Sequence, residues 1–241
     1  MSAGFIAVCA LAFVTSVTAT VHFCRTMGGG MKMPGGWTMS MMWMQMPGRT
    51  WFGSAVEFSV IWLAMMVPSA LPTFLRTGRQ WASLCYMAIG YFAIWLAIGV
   101  GIYLLGVVFA AFTMRSESLS RAVPWFLSSS LIAAGVFQFT RWKMIHLSRC
   151  RSQFGCAFSC AQQKTSFRLG CAQGLACCVC CISPMAILLA LGMMNLFLMI
   201  GVAIVIAAEK ILSRPEIVAR VVGVAAIVLG FAEFTAHFHS S

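Results

Sequence analysis

Apolar runs about twenty residues long recur along the chain, and short polar stretches separate them. Seven such segments cover residues 3–23, 52–75, 84–112, 123–140, 169–190, 194–209 and 219–238. Each is about long enough to cross a bilayer as a helix, since a crossing needs roughly 20 apolar residues. The pattern therefore predicts an all-α, polytopic transmembrane helix bundle of about seven spans.

The number of spans depends on two segments. The fifth and sixth form a nearly continuous apolar run, which we divide at LGMMN, residues 191–195, because Gly192 and Asn195 favour a tight turn. Without that division the bundle has six spans. The first segment has an alternative interpretation as a signal peptide, since VTAT near its end resembles a cleavage site. It lacks the basic region that precedes such a segment, so we favour a span.

The composition supports a single integral membrane domain over residues 1–241. Hydrophobic residues make up 61% of the chain and charged residues 9%, whereas soluble domains carry about 25% charged residues. The net charge is +11, but the basic residues lie in short loops between apolar runs. No basic face interleaved with aromatic residues is visible, so we expect a lipid bilayer and no nucleic acid as a partner.

The distribution of lysine and arginine predicts the orientation, because these residues concentrate in cytoplasmic loops. With a cytoplasmic N-terminus, eleven of them fall in inside loops and five in outside loops. This orientation places a methionine- and glycine-rich loop, residues 24–50, outside the cell membrane. It places the cysteine-containing connection, residues 141–168, in the cytoplasm.

The outer loop contains MGGGMKMPGGWTMSMMWMQMPG, residues 27–48, which holds eight of the chain's eighteen methionines. Thioether sulfur is a soft ligand that selects Cu(I), and we expect glycine to let the loop reshape around an ion while it faces water. The chain has no aspartate, which disfavours a calcium or magnesium site. The alternative is an interfacial helix with one apolar face that includes Trp43. The candidate ligands are Met39, Met41, Met42, Met44 and Met46.

The fifth segment contains CAQGLACCVCCISPM, residues 171–185, with four cysteines in five residues. The candidate ligands there are Cys177, Cys178, Cys180 and Cys181. Cys177 and Cys181 lie one turn apart on a helix, and Pro184 is expected to kink that helix. The alternative is that the cysteines are small hydrophobic side chains that pack beside Gly170 and Gly174.

Two further groups of candidate ligands lie in other segments. Met65 and Met66 precede a proline near the middle of the second segment, where ordinary apolar packing explains them equally well. Glu233 and His237 share one helical face near the C-terminus, and His239 follows. Their expected position beside the methionine loop favours a contribution to metal capture.

The cytoplasmic side carries residues with less specific signals. Cys150, Cys156 and Cys160 stay reduced in that compartment, where they either receive Cu(I) or have no metal-binding role. Glu209 and Lys210 are interpreted as a pair at a helix end whose charged groups extend to the membrane surface.

An ordered set of motifs resembles a bacterial family of predicted metal-binding integral membrane proteins, some of them labelled copper chaperones. The motifs are MPGGWTMSMMWMQMPGRTW, MMVPSALP, GYFAIW, CRSQ, GLACCVCC followed by Met185, and GMMN followed by EK, from about residue 30 to 212. The chain departs from the family at Gln173, where relatives often have histidine, and at Ile182, where they often have tryptophan. The resemblance implies a multi-pass inner-membrane protein linked to copper, with the methionine loop in the periplasm.

These observations favour a Cu(I)-binding membrane protein that acquires, relays or delivers copper, more as a carrier than as an enzyme. Its partner would be a membrane or periplasmic copper enzyme or another copper carrier. Two alternatives remain: an accessory subunit of a membrane oxidase or oxygenase, and a membrane thiol–disulfide oxidoreductase.

Overall fold

The protein is almost entirely helical. The computed structural model describes residues 3–27, 30–44, 50–76, 81–152, 163–192, 195–212 and 214–240. The described part contains eight helices: α1 Ala3–Met27, α2 Trp51–Arg76, α3 Trp81–Arg115, α4 Glu117–Phe137, α5 Arg141–Ser152, α6 Gln163–Leu191, α7 Leu196–Ile211 and α8 Pro215–Ser240. Two short strands, β1 Gly30–Lys32 and β2 Thr38–Ser40, form a hairpin that is followed by a 3₁₀ turn, Met41–Trp43.

The all-α prediction is confirmed, and each of the seven apolar segments coincides with a helix. Among the described residues, five helices are long and apolar enough to cross a membrane: α2, α3, α4, α6 and α8. The predicted break between segments five and six lies where expected. Gly192 ends α6 with a φ of +110°, and the side chain of Asn195 accepts hydrogen bonds from the first amides of α7. The connection 141–168 contains α5, which the apolar pattern did not predict.

Close approach of α3 and α6 builds the centre of the bundle, and these two helices share the most extensive interface. A side chain at Gly170 would place its first carbon 2.1 Å from the carbonyl oxygen of Met87, and one at Gly90 would lie 2.4 Å from that of Phe167. Small residues at such crossings let helix backbones touch. The packing role expected for Gly170 is therefore present, and it brings α3 next to the cysteines of α6.

A second close pair is formed by α4 and α8. A side chain added at Gly135 would place its first carbon 2.8 Å from the carbonyl oxygen of Gly223. A side chain added at Gly223 would place its first carbon 3.0 Å from the carbonyl oxygen of Gly135. Farther along the pair, the rings of Trp125 and Phe234 meet edge to face at 4.7 Å. The end of α8 therefore lies beside the beginning of α4.

The methionine-rich segment forms an ordered hairpin on the bundle. Met31 pairs with Met39 across the strands, and Gly35 and Gly36 make the turn with φ of 101° and 79°. The indole nitrogen of Trp37 donates to the Ser120 carbonyl at 2.9 Å. The Ser120 hydroxyl donates in return to the carbonyl of Pro34 at 2.8 Å. The hairpin is thus fixed to the first turn of α4.

One continuous core connects this hairpin with the cysteines of α6. It is formed mainly by α2, α3, α6 and α7, and it includes Met42 of the 3₁₀ turn, Met65 and Met66 of α2, and the cysteines. Trp43 packs on Phe58 and Tyr103 at ring distances of 5.4 Å and 6.3 Å. Sulfur-bearing side chains are consequently present along the core from the hairpin to α6.

Candidate metal centre

Three of the four cysteines in the CCVCC stretch of α6, residues 177–181, point into the core. Cys177, Cys180 and Cys181 are each no more than 1% exposed, while Cys178 is half-buried. The Sγ atom of Cys181 lies 3.8 Å from that of Cys177 and 3.7 Å from that of Cys180. Helical spacing places these side chains on adjoining positions, and α6 continues through Pro184.

A fourth sulfur comes from α5. The Sγ atoms of Cys150, Cys177 and Cys180 all lie within 4.8 Å of one another, and all three residues are buried. We call Cys150, Cys177, Cys180 and Cys181 the thiol cluster. The sequence interpretation left Cys150 with Cys156 and Cys160 on the cytoplasmic side. Only Cys150 of these lies in the described residues, and it joins α6.

Gln173 holds Cys150 in this position. Its Nε2 donates to the Cys150 carbonyl oxygen at 3.0 Å and lies 3.7 Å from the Cys150 sulfur. Hydrogen bonding with Cys177, together with burial, raises the pKa of the Cys150 thiol to about 12. Without a bound cation this thiol is therefore protonated at neutral pH.

Two polar side chains contact the sulfur of Cys177. Lys210 Nζ donates to Cys177 Sγ at 2.8 Å, and the Tyr91 hydroxyl lies 3.1 Å from the same sulfur. The interpretation of Glu209 and Lys210 as a surface pair is wrong. Glu209 is 1% exposed, and α7 carries both side chains into the protein.

Glu209 instead belongs to a buried ion pair. Lys143 Nζ of α5 donates to Glu209 Oε1 at 2.7 Å, with side-chain exposures of 0% and 2%. Lys143 also donates to Gln138 Oε1 at the end of α4. This network ties α5, and with it Cys150, to α4 and α7.

The geometry of the thiol cluster suits a soft metal ion. Sulfur ligands about 2.3 Å from an ion lie within roughly 4.6 Å of one another, which is close to the separations seen here. Thiolates prefer Cu(I) and zinc over hard cations. The cluster can therefore supply two or three sulfur ligands from two helices to one ion.

The hairpin methionines are less exposed than methionines in a flexible loop would be. Met39 is 2% exposed and Met42 is 5% exposed, whereas Met41 and Met44 are half-buried. The expectation of a loop that faces water on flexible backbone is wrong for Met39 and Met42. The described residues of the segment, 30–44, form strands and a 3₁₀ turn instead of the interfacial helix of the alternative interpretation. Met46 lies outside the described residues.

The two methionines of α2 are buried in the core that contains the thiol cluster, with exposures of 5% for Met65 and 0% for Met66. Farther toward the hairpin, Cys24 Sγ of α1 lies 3.9 Å from Met199 Sδ of α7.

The candidate ligands of α8 do not join the thiol cluster. His237 Nε2 lies 3.8 Å from Glu233 Oε2, as expected for neighbours on one helical face. They lie on either side of Phe234, which contacts Trp125, so they lie at the end of the bundle that holds the hairpin. The side chain of His239 is outside the described part of the structure.

Fold and site together define a helical protein with membrane-length apolar helices and a buried cluster of soft ligands. A sequence model of the family PpoB2, described as copper chaperone, matches residues 56–232. The chain therefore belongs to this copper chaperone family. Comparisons with curated proteins and with solved structures find no match.

Proposed function

We propose that this protein binds Cu(I) within the bacterial inner membrane and delivers it to a partner. The thiol cluster is the observation that carries this proposal. It gathers buried soft ligands from α5 and α6, and such ligands select Cu(I) among the metals available to cells. Membership of a copper chaperone family supports the same role.

In this proposal the thiol cluster is the tight site. Its cysteines lie on helices that packing already orders, so binding costs little further backbone entropy, which is about 1–2 kcal/mol per residue fixed. Thiolates are the binding form, so copper competes with protons. Affinity should therefore fall at low pH.

The hairpin methionines act as the weaker, collecting site. Thioethers are neutral and need no deprotonation before they bind a metal, so their affinity should depend little on pH. Met41 and Met44 are partly exposed at the bundle end that also holds Glu233 and His237. We assign first contact with copper to this end of the protein, for which the charge distribution predicts a periplasmic position.

Copper has to travel between the two sites. Trp43 packs against Gly106 of α3, whereas Tyr91 of the same helix contacts Cys177. Fifteen residues of helix separate these positions by about 22 Å. Met65 and Met66 lie in the core between the sites, and we propose that their thioethers relay the ion. A copper enzyme of the membrane or periplasm, or another copper carrier, would receive it.

The experiment compares purified wild-type protein with two triple variants. One replaces Cys177, Cys180 and Cys181 by serine, and the other replaces Met39, Met42 and Met44 by leucine. Leucine keeps the volume of buried methionine, so the hairpin should still fold. Replacement of Cys85, a half-buried cysteine of α3 outside the cluster, by serine is the matched control.

Bound copper per protein is measured after dialysis against a Cu(I) chelator at two pH values. The serine variant should lose the tight, pH-dependent site, while the leucine variant should load more slowly and reach nearly the wild-type stoichiometry. The Cys85 variant should behave as wild type. If the serine variant keeps its copper and the leucine variant loses it, the storage site is the hairpin. Copper-free wild-type protein with a titrating disulfide would favour the oxidoreductase alternative.

A further inference from the structure

Lys210 places a positive charge directly on the thiol cluster. It lies in the last turn of α7, the helix end where lysine is commonly exposed. Here its ammonium is instead directed inward and donates to Cys177 Sγ at 2.8 Å. A hydrogen bond from a charged donor is about twice as strong as one between neutral groups.

The carboxylate next to Lys210 in the chain has a cationic partner of its own. Glu209 precedes Lys210 in the chain, and its carboxylate pairs with Lys143 at 2.7 Å. The Glu209 carboxylate is thus balanced by Lys143 of α5, while Lys210, the next residue of α7, contacts the sulfur of Cys177. The Tyr91 hydroxyl lies on the same sulfur at 3.1 Å. Cys177 is therefore positioned by groups from α3 and α7.

We propose that Lys210 is a positioning residue of the copper site. Its ammonium holds the sulfur of Cys177 in place and balances the negative charge that thiolate ligands bring around Cu(I). A Cu(I) ion with two thiolates carries one net negative charge, which one ammonium neutralises in an environment poor in water. This role rests on the copper-binding function proposed above.

The test uses the substitutions Lys210→Leu and Lys210→Arg in the whole chain, because leucine removes the charge without adding a sulfur ligand. Lys32→Leu removes an equal charge from an exposed hairpin position and is the matched control. Affinity for Cu(I) and Ag(I) is measured by competition with a chromogenic chelator. The thermal midpoint of the metal-free protein is measured in the same detergent.

The leucine variant should bind both ions about 10- to 100-fold more weakly, which is the effect expected for loss of one hydrogen bond to a charged group. Its metal-free thermal midpoint should stay the same or rise, because burying an ammonium carries a desolvation cost that an apolar side chain does not. The arginine variant keeps the charge and should retain most of the affinity. The Lys32 variant should match wild type.

A leucine variant that binds as tightly as wild type would refute the role of Lys210 and leave the copper function intact. A variant that loses affinity and thermal stability together would show a packing role, which also overturns the proposal. If the leucine variant does not fold, the arginine variant decides, since a folded arginine variant without affinity excludes a role for the charge. Wild-type protein that binds neither ion refutes the copper function itself.

Discussion

Replacing Lys143 by methionine removes one partner of the buried ion pair and leaves Glu209 without its main cation. The two side chains are 0% and 2% exposed, and their charged atoms lie 2.7 Å apart. At an effective dielectric constant of about 20, charges at this distance attract each other by roughly 6 kcal/mol before desolvation is counted. Breaking such a pair typically costs about 3–5 kcal/mol, because the remaining charge stays buried. We expect a destabilisation of that size.

Denaturant unfolding in detergent, followed by circular dichroism, measures this loss. A double variant, Lys143→Met with Glu209→Leu, removes both charges and should recover most of the stability. The control is Arg121→Met, which breaks an ion pair with Glu117 at 2.6 Å whose side chains are 69% and 64% exposed. Exposed pairs contribute less than about 1 kcal/mol. The two pairs therefore differ in burial and not in distance.

The same substitution should also weaken metal binding. Cys150 follows Lys143 on α5 by two turns, and the ion pair is one of the contacts that hold α5 on the bundle. A Lys143 variant that is no less stable than the Arg121 variant would show that burial does not increase the contribution of this ion pair to the free energy of unfolding. A destabilised variant with wild-type copper affinity would show that the position of Cys150 does not depend on it.

Two further predictions concern the hairpin and the orientation. Gly106→Ala should loosen the hairpin, because the added carbon would lie 2.0 Å from the ring of Trp43, and proteolysis at the exposed Lys32 should become faster. Gly101→Ala on the same helix meets nothing within 4 Å and should leave the proteolysis rate unchanged; equal rates in both variants would contradict the packing of Trp43. Reporter fusions after residue 45 and at the C-terminus should both report the periplasm. A cytoplasmic signal after residue 45 would reverse the proposed direction of capture.

The helices were predictable because the apolar pattern that defines each of them lies within one continuous stretch of the sequence. Apolar runs of about twenty residues leave few alternatives, and the break between α6 and α7 has a local cause. Asn195 Oδ1 accepts from the amides of Phe197 at 3.0 Å and Leu198 at 3.3 Å. Four cysteines within five residues likewise indicated α6 as a candidate site from the sequence alone.

The remainder of the site depends on contacts between distant residues. Lys143 and Glu209 are 66 positions apart, and their pairing is one of the contacts that dock α5 on the bundle and bring Cys150 to α6. Lys210 was misinterpreted for the same reason, since a lysine at a helix end is usually exposed. The hairpin was missed because its strands are three residues long and rich in glycine and methionine, so they lack a strand pattern.

Helix α4 acts as a rigid spacer between the two groups of sulfur ligands. Its first turn holds the hairpin through Ser120, and Gln138 after its last turn contacts the lysine that docks α5. These residues lie about 27 Å apart along the helix, and contacts with α8 at Trp125 and at Gly135 fix α4 between them. Bending of α4 therefore offers no way to bring the hairpin and the thiol cluster together. In the proposed relay, copper would therefore have to cross the separation of about 22 Å through ligands that stay in place.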